Sequence, residues 1–328
     1  MTSQLKVDRI SPATGSEIII DGWERNKKNL IINGAMTVSQ RGETFDGGDY
    51  TLDRWYIGSS GYNISRGTAP HQFDYSLKCV RPPEYSANSL IQQRIELDKK
   101  GSPGIFVQGK EFTMSCWVKG TAGAEFSMRM GFSEGTGTGE TRTYFSDGSS
   151  DGRGNVINLT GGWNRYENTV TVDQPCNSEH NSVCLTLSYY GSAVNQTVWI
   201  AGVQAEKGHK ATEFEHESLG QTVAKCQRYY CKSYNLDIAP QTNNASGRTY
   251  FYLSPNTTDG PKGAMVSFPV LMRSAPTVTI YNEVSGVADV FSNGASANVI
   301  TAGQRAFMSY ATSIGDDMYA HWVAEAEL

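Results

Sequence analysis

The sequence predicts an all-β protein: a jelly-roll β-sandwich, then one short helix, then a smaller C-terminal β-sandwich. Three observations carry that prediction. Charged residues make up only 19% of the 328, glycines number 34 and aromatics reach 11%, a mixture suited to many short strands joined by turns. Strand-length apolar or alternating runs recur along most of the chain. A single stretch, 217–231, breaks that habit: Leu219, Val223, Cys226 and Tyr230 recur there at helical spacing.

Residues 1–24 form the first segment. LKVDRI and SEIIID are two short β-prone runs split by SPATG, a turn with both Pro and Gly. So few apolar groups cannot build a core, so the segment must pack on a partner, on copies of itself, or stay mobile.

Residues 25–215 carry the main series of strand-like runs, from NLIINGAMTV through TVWIAGV. In EFTMSCWVKG, Phe112, Met114, Cys116 and Val118 alternate with polar or surface-type positions, the mark of a half-buried strand. Regular spacing with Gly-rich turns favours two packed antiparallel sheets. Gly-rich loops at 131–139 and 146–154 are expected to project from one end.

Residues 216–231 are the connecting helix, with Ser218 as its N-cap. A helix this short is unstable alone, so its apolar stripe must be covered. Residues 232–328 supply the last β region. There Pro269 and Pro276 bracket VLMRSA, suggesting an edge or a bend, and AEAEL closes the chain.

Composition also excludes partners. The net charge is −5 and no basic patch is evident, so nucleic acid is not expected. No apolar run approaches the ~18–20 residues needed to cross a bilayer, and no signal peptide is visible, so a chain that stays in solution is expected. The six cysteines lack zinc-site spacing and read as buried free thiols, with a Cys176–Cys184 bridge closing a hairpin as the alternative.

Catalytic motifs are lacking: no G-x-S-x-G, no H-E-x-x-H, no Walker loop. The run GTGTG at 135–139 lacks the following helix whose amides would hold a phosphate, and reads as a loop. Acidic residues such as Glu96 and Glu125 are available, but sequence order establishes no carboxylate pair, so no enzyme is expected. No cofactor is implied. Asp147, Ser149 and Asp151 at alternate positions, then Gly152, mimic the first half of a calcium loop. Asn158 stands where a bidentate Glu would close the shell, which leaves Asp147 and Asp151 as weak candidates against a plain Gly/Asp turn.

Aromatic rings are the other means of holding a sugar, because a flat ring stacks on the apolar face of a pyranose. Trp55, Trp117 and Trp199 sit within strand patterns and are assigned to the core. Trp163 and Tyr166 in TGGWNRYENT, Tyr144 beside the Gly-rich loop, and the adjacent Tyr189 and Tyr190 are the ligand-facing candidates. Adjacent residues on a strand point to opposite sides, so one of the last two must face away from the core.

Several phrases are also familiar in combination. They are Asn29–Gly34 with Gln40, Arg41 and Gly42; Asp53, Arg54 and Trp55; and Gln92, Arg94, Ile95 and Glu96. Val203, Gln204, Glu206, Gly208 and Phe214 precede Cys226, Gln227, Arg228, Tyr229 and Tyr230, and PTVTIY and AEAEL end the set. Together they resemble bacteriophage virion proteins, mostly tail fibres and receptor-binding proteins. The resemblance implies a carbohydrate-binding jelly roll in a homotrimer. It also implies attachment to other virion proteins through residues 1–24 and a host surface polysaccharide as the external partner, in a virion assembled in the host cytoplasm. The helical stripe Leu219, Val223, Cys226 and Tyr230 is then the expected trimer contact. Related modules often carry acidic residues in the last strand, where this chain has Ala201 and Gly202, which argues against importing a calcium site. A capsid decoration or head fibre and a glycan depolymerase are the alternative expectations.

Overall fold

The computed structural model describes residues 28–82, 89–135, 140–149, 153–190, 196–251, 262–311 and 318–328. The expected attachment segment, 1–24, lies outside them. The first β region builds two stacked sheets. One has the order β1 (Thr44–Gly47), β3 (Ser60–Gly67), β4 (Ser76–Arg81), β12 (Gln196–Lys207), β6 (Glu111–Gly120) and β10 (Asn164–Thr171). The other has the order β2 (Tyr56–Ile57), β5 (Ser89–Glu96), β11 (His180–Tyr190), β7 (Glu125–Glu134) and β8 (Thr141–Tyr144), with β9 (Ile157–Asn158) pairing beside β7. Every named pair is antiparallel.

Alternation explains the core. Phe112, Met114, Cys116 and Val118 of β6 face Phe126, Met128, Met130 and Phe132 of β7 across the sandwich, all at most 1% exposed. Val198 and Ile200 of β12 join from the first sheet, and Val183, Leu185 and Leu187 of β11 from the second. Trp55 is fully buried in this core and donates from Nε1 to the carbonyl of Asn33.

The helix α1 spans Leu219–Gln227. Ser218 is its N-cap, and Gln221 completes a capping box by reaching back to the Ser218 amide. Its bounds are tighter than the 216–231 read from periodicity. Arg228 caps the end, and Tyr230 opens β13 (Tyr230–Lys232), which pairs with β19 (Met318–Glu325). Around β19 lie β14 (Thr249–Phe251) and β16 (Thr277–Tyr281). A second small sheet follows the order β15 (Lys262–Ser267), β18 (Ala306–Ala311) and β17 (Ala297–Ala302). Phe251, Phe291, Phe307, Ile280, Met272 and Trp322 centre a separate core between these sheets. All six cysteines are free thiols, so the Cys176–Cys184 alternative is not formed; Cys184 is buried and Cys176 half-buried.

The two β bodies meet through the familiar phrases themselves. Gln40 donates to the carbonyl of Tyr230 (2.8 Å), and Lys232, only 7% exposed, returns its ammonium to the carbonyl of Gln40 (2.7 Å). Arg41 pairs with Asp53, Glu325 and Glu327, while Arg54 pairs with Glu327. Arg228 and Tyr229 both reach Glu96. Arg41 and Arg54 lie over the rings of Tyr230 and Tyr229, at 3.8 and 3.5 Å from the centroids.

Candidate functional site

The alternation that buries one side of the sheet containing β4, β12 and β6 presents the other. With Cys116 and Val118 inward, Trp117 and Lys119 point out; with Val198 and Ile200 inward, Trp199 points out, and Ala201 on the same side is covered and fully buried. Register then sorts these residues into rows. Lys78 stands opposite Trp199, and Trp199 opposite Lys119. One step along, Ala201 stands opposite Trp117, and Trp117 opposite Arg165. Both tryptophans are half-buried rather than core, a correction to their assignment from strand pattern alone.

The surroundings hold both indoles in place. Lys119 and Lys78 place their ammoniums 4.9 and 6.0 Å from the Trp199 ring centroid. A Cβ at Gly67 would stand 2.8 Å from Trp199 Cδ1, so a glycine at the end of β3, beyond β4, makes room for the indole. His71, on the loop between β3 and β4, meets the Trp117 ring edge-on at 5.0 Å. The same loop packs Phe73 on Gly202, whose φ of 58° sits in a β-bulge of β12 and whose Cβ, if present, would be 2.3 Å from the Phe73 ring. Phe214 and His216 complete an aromatic cluster around Phe73 at 5.0 and 5.5 Å. Alongside, a shallow groove of about 420 Å³ is lined by Asn63, Ser65, Lys78 and Val80, with Thr44, Phe45 and Asp46 at its far side. Flat apolar rings beside hydroxyl, amide and ammonium groups can stack on the C–H face of a sugar and hydrogen-bond its rim.

The opposite outer face carries buried polar and charged side chains. Arg94 and Glu140 form a buried ion pair there, each side chain 1% exposed, which Arg142 joins at 2.6 Å. Burial pushes the Glu140 carboxyl up, but hydrogen bonds from Arg94, Ser133 and Arg142 outweigh it and hold the group below its ordinary value. Gln92 and Thr186 lie under Arg142 and Tyr144 on the same side.

The aromatics singled out by sequence do not converge. Tyr166 and Tyr189 are core residues at 7% and 1% exposed, and the Tyr166 hydroxyl donates to the carbonyl of Asn155. Tyr190 does face away from the core, yet it is 9% exposed and lies beneath the Arg153 guanidinium. Tyr144 is half-buried on the other sheet, with Arg129 over its ring at 3.9 Å. Trp163 is half-buried one residue ahead of β10, at the edge of the Trp117 and Trp199 sheet.

Asp147 is committed elsewhere. Its Oδ1 accepts from the Ser149 amide (3.0 Å) and hydroxyl (2.6 Å), and its Oδ2 from the Asn155 amide (2.9 Å) and Asn168 Nδ2 (3.2 Å). Burial raises its carboxyl, but these bonds prevail and keep it below the usual carboxylate value. Lone pairs filled by N–H and O–H donors fit a structural turn better than a calcium ligand. Asp151 lies outside the described residues, among which no cluster of three metal-ligating groups occurs.

Of the expected trimer stripe, Cys226 and Tyr230 are 1% and 4% exposed and are used inside the protomer. Leu219 is 52% exposed and Val223 half-buried, so these two are what a second copy could touch.

No family model and no curated protein matches the chain. Solved structures do. The chain is similar, over 55% of its length, to the enzymatically active domain of tailspike protein 4 of bacteriophage CBA120, at 16% identity and a TM-score of 0.35, and spans 21% of that tailspike chain. It is similar over 55% to a putative sugar binding protein from Bacteroides thetaiotaomicron VPI-5482, covering 100% of it, at 12% identity and a TM-score of 0.39. It is also similar over 56% to TmCBM61, solved with β-1,4-galactotriose, covering 100% of it, at 14% identity and a TM-score of 0.31. At these identities the likeness is one of distant fold, and assigns no ligand to this chain.

Proposed function

We propose that the chain is a subunit of a trimeric bacteriophage tail fibre or spike that binds a bacterial surface glycan through the Trp117 and Trp199 face. The observation that carries the binding role is the pair of indoles on the outward side of a sheet, with ordinary core residues directly behind them. The virion setting draws on the sequence phrases: Gln40, Arg41, Arg54, Arg94 and Glu96 of the first body and Arg228, Tyr229 and Glu327 of the second. Residues 1–24 attach the subunit to the particle. Leu219 and Val223 contribute to the threefold contact, so that weak single-site binding gains strength through multivalency. The chain acts as an adhesin and does not cleave its receptor.

Incubation of the protein with a panel of bacterial surface polysaccharides tests the binding role, read by retention in affinity electrophoresis and by quenching of tryptophan fluorescence. Retention without release of reducing ends supports an adhesin; release of reducing ends favours a depolymerase. Gold labelling of a tagged copy on intact particles separates a tail position from a head fibre. Light scattering that finds a folded monomer at micromolar concentration contradicts the trimer.

A further inference from the structure

We infer that the glycan taken by this face is anionic, a deepening that rests on the reading above. The protein carries a net charge of −5, yet the row across β4, β12 and β6 reads Lys78, Trp199, Lys119. Both ammoniums sit at the indole, 6.0 and 4.9 Å from its centroid, and among the described residues neither has a carboxylate within ion-pair distance. Some other surface cations are neutralised by nearby acids, as Lys100 is by Glu179, Arg153 by Glu125 and Arg165 by Glu167, whereas the two at Trp199 are not.

Lys78 and Lys119 are half-buried, and the cation–π attraction holding a surface ammonium to a ring is weak and its stem flexible, so it is readily exchanged for an anion. A sugar ring laid on Trp199 puts its substituents among the two ammoniums. A carboxylate or phosphate there meets positive charge already in position; a neutral sugar forfeits that gain and must displace the lysines from the ring. Carboxylate and phosphate share the chemistry that ammonium reads, because each is a hydrated anion accepting charge-assisted hydrogen bonds. The groove beyond Lys78 extends the same strip for the rest of a polymer, with the neutral hydrogen-bonding groups of Asn63 and Ser65 and, at its far side, the carboxylate of Asp46.

The test uses the full chain on an array of acidic and neutral bacterial capsular and O-chain polysaccharides. Each glycan bound is then re-assayed after carboxyl reduction or after dephosphorylation, which identifies the anion. The expected result is binding to acidic members, weakened about tenfold or more by removing the anion and by raising salt from 50 to 500 mM, because surface charge is screened. Lys78→Gln with Lys119→Gln should abolish the preference, and Lys99→Gln, an exposed lysine away from the face, should leave it intact. Binding to neutral members that is indifferent to salt overturns the inference and leaves the glycan-binding role standing. Binding to no member overturns both.

Discussion

The guanidinium of Arg54 lies 3.5 Å from the centroid of the Tyr229 ring, joining the first β body to the residue that follows the helix C-cap. Arg54 is 1% exposed and also pairs with Glu327, which is held beside Arg41. Removing Arg54 leaves the buried Glu327 carboxylate with Arg41 as its remaining ion-pair partner among the described residues. Arg54→Met should therefore cost less than a fully stranded charge would, on the order of 2 kcal/mol in denaturant unfolding. Arg54→Lys should lose less, because it keeps the charge but neither the flat stack nor the fork. Equal stability of wild type and Arg54→Met would show that the joint carries no load.

Gly202 lies at φ 58° with the Phe73 ring packed where a Cβ would be. Gly202→Ala combines backbone strain with a clash and should cost on the order of 2 kcal/mol or more. Since the loop bearing Phe73 also carries His71 against Trp117, glycan affinity should fall with it. Differential scanning calorimetry and titration on one preparation check the pair of effects together.

The pH response of the C-terminal body turns on His321. Its ring stacks on Tyr234 at 3.7 Å, with Nε2 on the Asn244 carbonyl and Nδ1 on the Ser233 hydroxyl. Burial lowers its pKa from 6.5 despite the opposing hydrogen bond to Asn244. A depressed histidine binds protons less readily folded than unfolded. Its stabilisation is thus complete above about 6.5 and is lost as pH falls through the folded value. His180, stacked on Phe132 and lowered by burial, acts in the same direction. Melting temperature should drop between pH 6.5 and 5, and His321→Gln should flatten that slope.

Much of the fold is legible in the sequence. The alternation of Phe112, Met114, Cys116 and Val118, the Ser218 cap and the break between two β regions all read through directly. The candidate site is partly legible too. With Cys116 and Val118 inward, Trp117 must face out, and the same logic frees Trp199 between Val198 and Ile200. Aromatic character in a strand suggested core, but the pleat decides the side. Tyr190 failed for the opposite reason: it points outward, and only tertiary structure brings Arg153 over it. The pairing of Arg54 with Glu327 is equally out of reach, since nothing local links the two ends of the chain.

Asp147 gives a check on metal dependence. If its carboxylate serves the turn at Ser149 and Asn155, a chelator should leave the melting temperature unmoved. Asp147→Asn, which sets an amide N–H against existing donors, should cost about 1–3 kcal/mol. A chelator that lowers the melting temperature would instead indicate a bound cation.

Glycan binding by the Trp199→Ala variant is the most direct measurement of the central claim. Bacterial surface polysaccharide retained by the wild type should be lost by at least about tenfold in affinity, which corresponds to roughly 1.4 kcal/mol, with the circular dichroism spectrum and the oligomeric state unchanged. Trp199→Ala that binds as tightly as the wild type would contradict it.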